Sequence, residues 1–383
     1  MNKNKKILLH LSLISQIGPS VVLKIVKFFF DDFYEQKNSQ IKNLDFDFSQ
    51  IYRYKSQDFI KKFGLTKSIS DILVKGLCDK KDLEKELNLI EKYNIDILTF
   101  LDSEYSHALK QIHSPPIVLY CKGEKLEAYE KNIAVIGARK ANFYAENVVN
   151  DIVPQLVQNG YAIISGGALG VDSMAHKAAL KSGGSTIVVF GSGLMNPYPS
   201  SNKDLFRQIV KNGGTLISPF SLFLPPAKGN FPARNRVIAG LSCGCVVVQA
   251  AKKSGALITA KFALDEGRQV FAVPGSVLEE LSFGCHELIK QGAKLVSSVD
   301  DILEEFGQSN CCEASIEKED KKIKSSDSQE DLILYNLSCA CSLDEIAIKT
   351  KIKFDKLQEK LFDMQIEGKI KQNFAGLWEK NEK

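Results

Sequence analysis

At 383 residues the chain exceeds what one hydrophobic core usually supports, and 44% hydrophobic with 25% charged residues is an ordinary globular composition, so two or three domains are expected. No apolar run is long enough to span a bilayer, which argues against an integral membrane protein. Nine cysteines, scattered without paired CxxC spacing or a histidine cluster, argue against a disulfide framework or a zinc site and fit a reducing cytoplasm.

Residues 1–110 read as helical. The opening "MNKNKKILLHLSLISQIG" has a basic start and a short apolar run with no small-residue cleavage site, so a first helix is expected in place of a secretion signal. In "LISQIGPSVVLKIVKFF" the Ile17-Gly18 pair makes a turn between two apolar-periodic segments, as in a helix-hairpin-helix or SAM-like module, which either touches nucleic acid or only packs. From 111 to 306, Ile/Val-rich runs ("NIAVIGARK", "YAIISGGALG", "STIVVFGSG", "GTLISPF", "CGCVVVQAA", "RQVFAVPGS", "AKLVSSV") alternate with helical patterns. That alternation predicts a doubly wound α/β domain on a parallel sheet buried on both faces. Pro154 marks a kink or early break in the first of its helices. Residues 307–331, charged and serine-rich, read as a linker, and 332–383, with short helices before "GKIKQNFAGLWEK", as a winged-helix-like module.

The net charge of +4 is unevenly placed. Between Glu130 and Gly275 there are 15 Lys and Arg against 7 Asp and Glu, and Leu205 to Leu264 holds no carboxylate but eight cations, which suggests an anionic partner. Four strands end in glycine, at Gly137, Gly166-Gly167, Gly191 with Gly193, and Gly275. In an open parallel sheet these ends converge on one crevice, where backbone amides can approach a phosphate. The richest loop, "SGGALGVD", offers Ser165, Gly166 and Gly167, with Asp172 expected to cap the next helix. It lacks GxGxxG spacing, and no Walker sequence occurs, so a standard dinucleotide or NTP site is not supported.

Cations expected around the crevice are Arg139, Lys140, Lys203, Arg234 and Arg236, with Asn235 placed to read a base edge or fix a sugar. Both arginines of "NFPARNRVIAGLS" face it only if the helix starts after them; a helix that already includes Asn235 turns one of them into a structural ion-pair partner. His176 reads as a packing residue. No carboxylate pair, triad order or metal cluster presents itself, so no catalytic residue, metal or cofactor is expected.

The segments "VIGARK", "SGGALGVDSMAH", "GSGLMNPYP", "NFPARNRVIAGLS", "SGALITAKFALDEGRQVFAVPG" and "FGCHELIKQGAKLV" resemble, in order and spacing, the signatures of the DNA-processing protein A family (DprA, also called Smf). The resemblance implies an extended Rossmann-type domain that binds single-stranded DNA without catalysis, protects incoming strands in natural transformation, helps load RecA recombinase and forms a homodimer. It maps the family's strand-end arginine to Arg139, the lysine after "YP" to Lys203 and the RNR triplet to Arg234, Asn235 and Arg236. The chain departs from the family pattern at Gly167 and Leu169, where leucine and arginine are usual, and at Pro219 and Gln249, where glutamates are common. The alternative is a nucleotide-sensing or nucleotide-processing Rossmann-type enzyme.

Overall fold

Uninterrupted Ile/Val runs become inner strands because a strand covered on both faces has no solvent side to make polar. The computed structural model describes residues 1–36, 48–124, 131–307, 333–334, 343–350, 352, 354–372 and 378–381. Its strands are β1 (Asp96–Thr99), β2 (Val118–Gly123), β3 (Asn132–Ile136), β4 (Ala162–Ser165), β5 (Thr186–Val189), β6 (Thr215–Ser218), β7 (Gly244–Val247), β8 (Gln269–Ala272) and β9 (Lys294–Leu295). They form one sheet in the order β1-β2-β6-β5-β4-β3-β7-β8-β9. The strands from β3 to β9 pair in parallel, and β2 is antiparallel to both β1 and β6.

The sheet is therefore mixed and mostly parallel, and the antiparallel β1–β2 edge is a feature the sequence reading did not include. β1 falls inside the stretch read as helical. It is a four-residue edge strand with only Thr99 fully buried, too short to show a period of two.

Helices α1 (Lys3–Leu13), α2 (Pro19–Gln36), α3 (Ser56–Phe63), α4 (Lys67–Cys78) and α5 (Lys81–Lys92) precede the sheet, and a short α6 (His107–Lys110) separates β1 from β2. The sheet helices are α7 (Phe143–Gln158), α8 (Val171–Lys181), α9 (Lys203–Lys211), α10 (Asn230–Leu241), α11 (Gly255–Asp265) and α12 (Phe283–Lys290). Adjacent residues of β5 divide between two cores. Ile187 and Val189 join Val237, Ala260 and Leu288 of α10 to α12, while Val188 joins Phe206 of α9 and the N-terminal helices. The helices before β1 thus share a core with the sheet, and residues 1–302 form one compact unit.

Pro154 does not end its helix. α7 starts at Phe143 and runs through the proline to Gln158, because the buried stripe Val149, Ile152, Val153 and Leu156 holds the axis across the missing N–H.

The second unit starts at Leu303. In it, helices Leu343–Thr350 and Phe354–Ile366 precede an antiparallel ribbon of Ile370–Gln372 and Trp378–Lys380, around a core of Ile333, Ile346, Leu357, Leu361, Met364 and Ile370. The expected linker lies, apart from Gly307, outside the described residues. No helix of the described residues is long and apolar enough to cross a membrane.

Candidate nucleic-acid interface

From β3 the chain steps outward through β4, β5 and β6, then returns to lay β7 on the other side of β3. Loops leaving β3 and β7 diverge there, which is where open α/β sheets place their ligand crevice. A cleft of about 440 Å³ occupies the position. Its walls are the turn after β3 (Gly137, Arg139, Lys140), the segment before α10 (Lys228), α10 itself (Phe231, Arg234, Asn235) and the start of α11 with the residues before it (Lys253, Ser254, Gly255).

The turn after β3 and the loop after β4 fix each other. Val171 N donates to Ala138 O at 3.2 Å, and Gly170, at φ +75°, packs so closely on Ala138 O that no side chain fits there. Gln249, after β7, donates to Asn142 Oδ1 and accepts from Asn142 N, which ties down the first turn of α7. The segment carrying Lys228 is held from behind, where Glu86 of α5 accepts from Leu222 N at 2.8 Å and Gly193 N donates to Leu224 O.

The helix already includes Asn235: α10 starts at Asn230. At 100° per residue, Arg234 and Arg236 point about 200° apart, so only Arg234 turns toward this cleft. Arg234 is 5% exposed and its Nη1 donates to Val189 O at 3.0 Å. It faces the charge of Asp172 without a direct ion pair, and burial draws its guanidinium down to about 10 with that charge opposing. Burial raises the Asp172 carboxyl above its ordinary value, against Arg234 and two backbone donors. Asp172 is not an N-cap, since that position is Gly170. Its Oδ2 instead accepts from Gly166 N and Ala168 N at 3.2 and 3.3 Å, filling the loop from inside.

That arrangement removes the expected trough of glycine amides. Gly166 lies under the Arg234 guanidinium, Gly167 against Val188 and Phe206, Gly191 against Phe231, and Gly193 against the backbone of Ser221 and Leu222. These glycines permit close packing, and of the strand-end glycines only Gly137 lines the cleft, the loop after β4 reaching it through Ala168. Ser165 is fully buried, its hydroxyl donating to Val135 O at 2.7 Å. Asn235 is 8% exposed and its amide reaches Gly255 O at 3.5 Å, joining α10 to α11. Lys203 starts α9, exposed but outside the cleft lining, beside Asn202, whose amide donates to Gly167 O and Ala168 O. Arg236 stands on the opposite face of α10, its guanidinium 4.7 Å over the Phe262 ring. His176 is a packing residue, with Nδ1 2.7 Å from Thr186 Oγ1.

Charge at the mouth comes from Arg139, Lys140, Lys228 and Lys253, all exposed and none in an ion pair with a described residue. Asp172 is the one carboxylate among the lining residues. Ser254 caps α11, accepting from Ala256 N, so the positive end of that helix adds to the same side. The guanidiniums of Arg139 and Arg234 each lie 5.8 Å from the Phe231 ring, with Tyr198 6.1 Å away. The sequence reading did not single out Lys228, Lys253, Ser254 or Phe231. The two lysines belong to the carboxylate-free interval Leu205–Leu264, a signal that identifies the stretch but not which of its cations converge.

Residues 96–307 match the model of a family described as DNA recombination-mediator protein A. The chain belongs to that family. It is 42% identical over 228 residues to DNA processing protein DprA of Streptococcus pneumoniae, covering 60% of this chain and 78% of that one. It is 37% identical over 263 residues to the Bacillus subtilis DprA, covering 68% and 86%. The X-ray structure of the S. pneumoniae protein superposes with a TM-score of 0.65 at 32% identity, covering 80% of this chain and 98% of that chain. A Helicobacter pylori DNA processing protein A, whose structure is described for its single-stranded DNA binding mode, gives 0.50 at 31% identity, covering 55% and 95%. The superposition bears out an α/β fold with N-terminal helices, while the expected all-parallel sheet is mixed and mostly parallel.

Proposed function

We propose that this recombination-mediator protein binds single-stranded DNA along the mouth of the β3/β7 cleft and holds the strand without altering it. The observation that carries the reading is the set of four exposed, unpaired cations, Arg139, Lys140, Lys228 and Lys253, around a cleft whose one lining carboxylate is already held by loop amides. Phosphates pair with these side chains and with the α11 N-terminus, giving affinity that ignores sequence and falls with salt. Arg234, Asn235, Ser165, Gly166 and Gly167 contribute by shaping the wall, and Lys203 and Arg236 extend the basic surface on either side.

The loop filled by Asp172 supports a holding role over a nucleotide-processing one, because amides that already donate to a carboxylate are not free to cradle a terminal phosphate. In this reading the Rossmann-type domain (111–306) carries the strand behind a helical module (1–110), and residues 332–383, after the linker, form a winged-helix-like module. The protein pairs with a second copy and delivers the strand to RecA recombinase. Support for a homodimer is an exposed apolar patch around Val277, Phe283 and Leu295 beside His286 and Ile289.

Fluorescence anisotropy with labelled oligo-dT and its duplex, across a salt series, tests the reading alongside a nucleotide-hydrolysis assay. Preference for the single strand with a steep salt dependence supports it. Nucleotide turnover without strand binding overturns it.

A further inference from the structure

Helix α10 has two working faces. Residues 231, 234, 235 and 238 line the cleft, and residues 233, 236 and 237 line a second cavity of about 360 Å³ on the other side. This second cavity lies between the α1–α2 turn and the sheet, walled by Ile17, Pro19, Val22, Pro116, Pro219 and Phe220. Its volume falls in the range of small-ligand pockets.

One charged group lines it. Arg236 forms no ion pair with a described residue, and its buried Nε has no hydrogen-bond partner. Phe262 lies under one face of the guanidinium, and among the described residues no acceptor reaches its buried Nε. A buried guanidinium donor without an acceptor is costly, and a planar carboxylate is the group that best satisfies it.

We propose that this cavity binds a small amphipathic carboxylate, its apolar body against the proline-rich wall and its carboxylate on Arg236. Such a group is available from a free acid or from the last residue of a polypeptide. The cavity lies on the opposite face of α10 from the cleft, and Arg236 is the one residue it shares with the proposed basic surface.

The test is ligand-observed NMR and calorimetric titration of the full chain with octanoate and with N-acetyl-leucine, using 1-octanol as the neutral control. The proposal expects saturable 1:1 binding of at least one acid. Tighter binding of octanoate assigns a free acid, and tighter binding of N-acetyl-leucine a chain terminus. Arg236→Met weakens that binding by about tenfold or more through loss of the charge-assisted hydrogen bonds. Ala233→Phe, at an exposed helical position where folding tolerates the change, fills the cavity and abolishes binding. No binding of either acid at millimolar concentration, equal binding of 1-octanol, or binding unchanged in both variants overturns the proposal.

Discussion

The Arg234 guanidinium packs on the bare Cα of Gly166, in the volume any side chain at that position would need. The arginine cannot swing aside freely, since Nη1 is bound to Val189 O and the group is 5% exposed. Gly166→Ala therefore pushes a buried charge off its partners. Overpacking of this kind costs about 1–3 kcal/mol, read as a lower urea midpoint at unchanged m-value. An unchanged midpoint would mean the guanidinium has another resting place.

Asp172 and Arg234 are buried opposite charges that act on each other through space, each bonded directly to neutral partners, the loop amides and Val189 O. Removing either leaves the other's buried charge less compensated, at a cost of about 1–3 kcal/mol. Arg234→Met and Asp172→Asn each destabilise on that scale, and the double variant loses clearly less than the sum. A double-mutant cycle by urea unfolding gives the coupling. Additive losses would show that each residue is held by its backbone partners alone.

The same pair marks where sequence reasoning stopped. Seven of the nine strands of the large sheet were legible, most of them because strands buried on both faces leave unbroken apolar runs, as in "NIAVIG" and "CGCVVV". The strand-end position of the cleft follows from topology, but the expected convergence of all four glycine turns on it does not occur. The role of each residue was not legible. Whether a glycine after a strand exposes an amide or admits a neighbour depends on what packs above it, and at Gly166 that neighbour is an arginine 68 positions away in the chain. The two arginines of "RNR" separated once the start of α10 was known, because a helix sends them to opposite faces where an extended chain would not. Lys228 and Lys253 were visible only as members of a basic interval.

His176 gives the fold an acid-sensitive element. Thr186 Oγ1 donates its proton to Ile163 O, so it accepts from His176 Nδ1–H, and the imidazole is neutral with a buried Nε2. Burial, with Arg234 adding, holds its pKa down to about 3. The unfolded chain takes up this proton near the ordinary value of about 6.5, so below that pH it binds more protons than the native state and stability falls on acidification. The loss is about 2–3 kcal/mol at pH 4.5 relative to pH 7. Asp172, with its raised pKa, contributes in the opposite sense, so the comparison with His176→Gln isolates the histidine. Urea midpoints at both pH values should fall more steeply for the natural chain, and equal slopes would place the proton uptake elsewhere.

Val277 is 75% exposed, and Phe283 and Leu295 near it are 39% and 44% exposed, an apolar surface of the kind that pairs with another copy. Val277→Asp with Leu295→Asp should shift sedimentation from dimer to monomer without changing the thermal melting of the isolated protomer by more than a few degrees. A chain that sediments as a monomer before substitution removes the patch from consideration.

The outer cations and Arg234 should fail in different ways. Each of Arg139, Lys228 and Lys253 is exposed and unpaired, so alanine at any of them leaves the fold untouched and removes one phosphate contact. For single strands each lost contact lowers the slope of log K against log salt by about 0.7 and weakens binding severalfold at low salt, equally for every base sequence. Arg234→Met should instead weaken binding together with thermal stability, because its guanidinium supports the wall. Anisotropy titrations of each variant at four salt concentrations, paired with melting curves, separate the two classes. If Lys228→Ala and Lys253→Ala leave the slope unchanged while Lys203→Ala or Arg236→Ala reduces it, the strand runs along the outside of α9 or the far face of α10 and the cleft mouth is not its path.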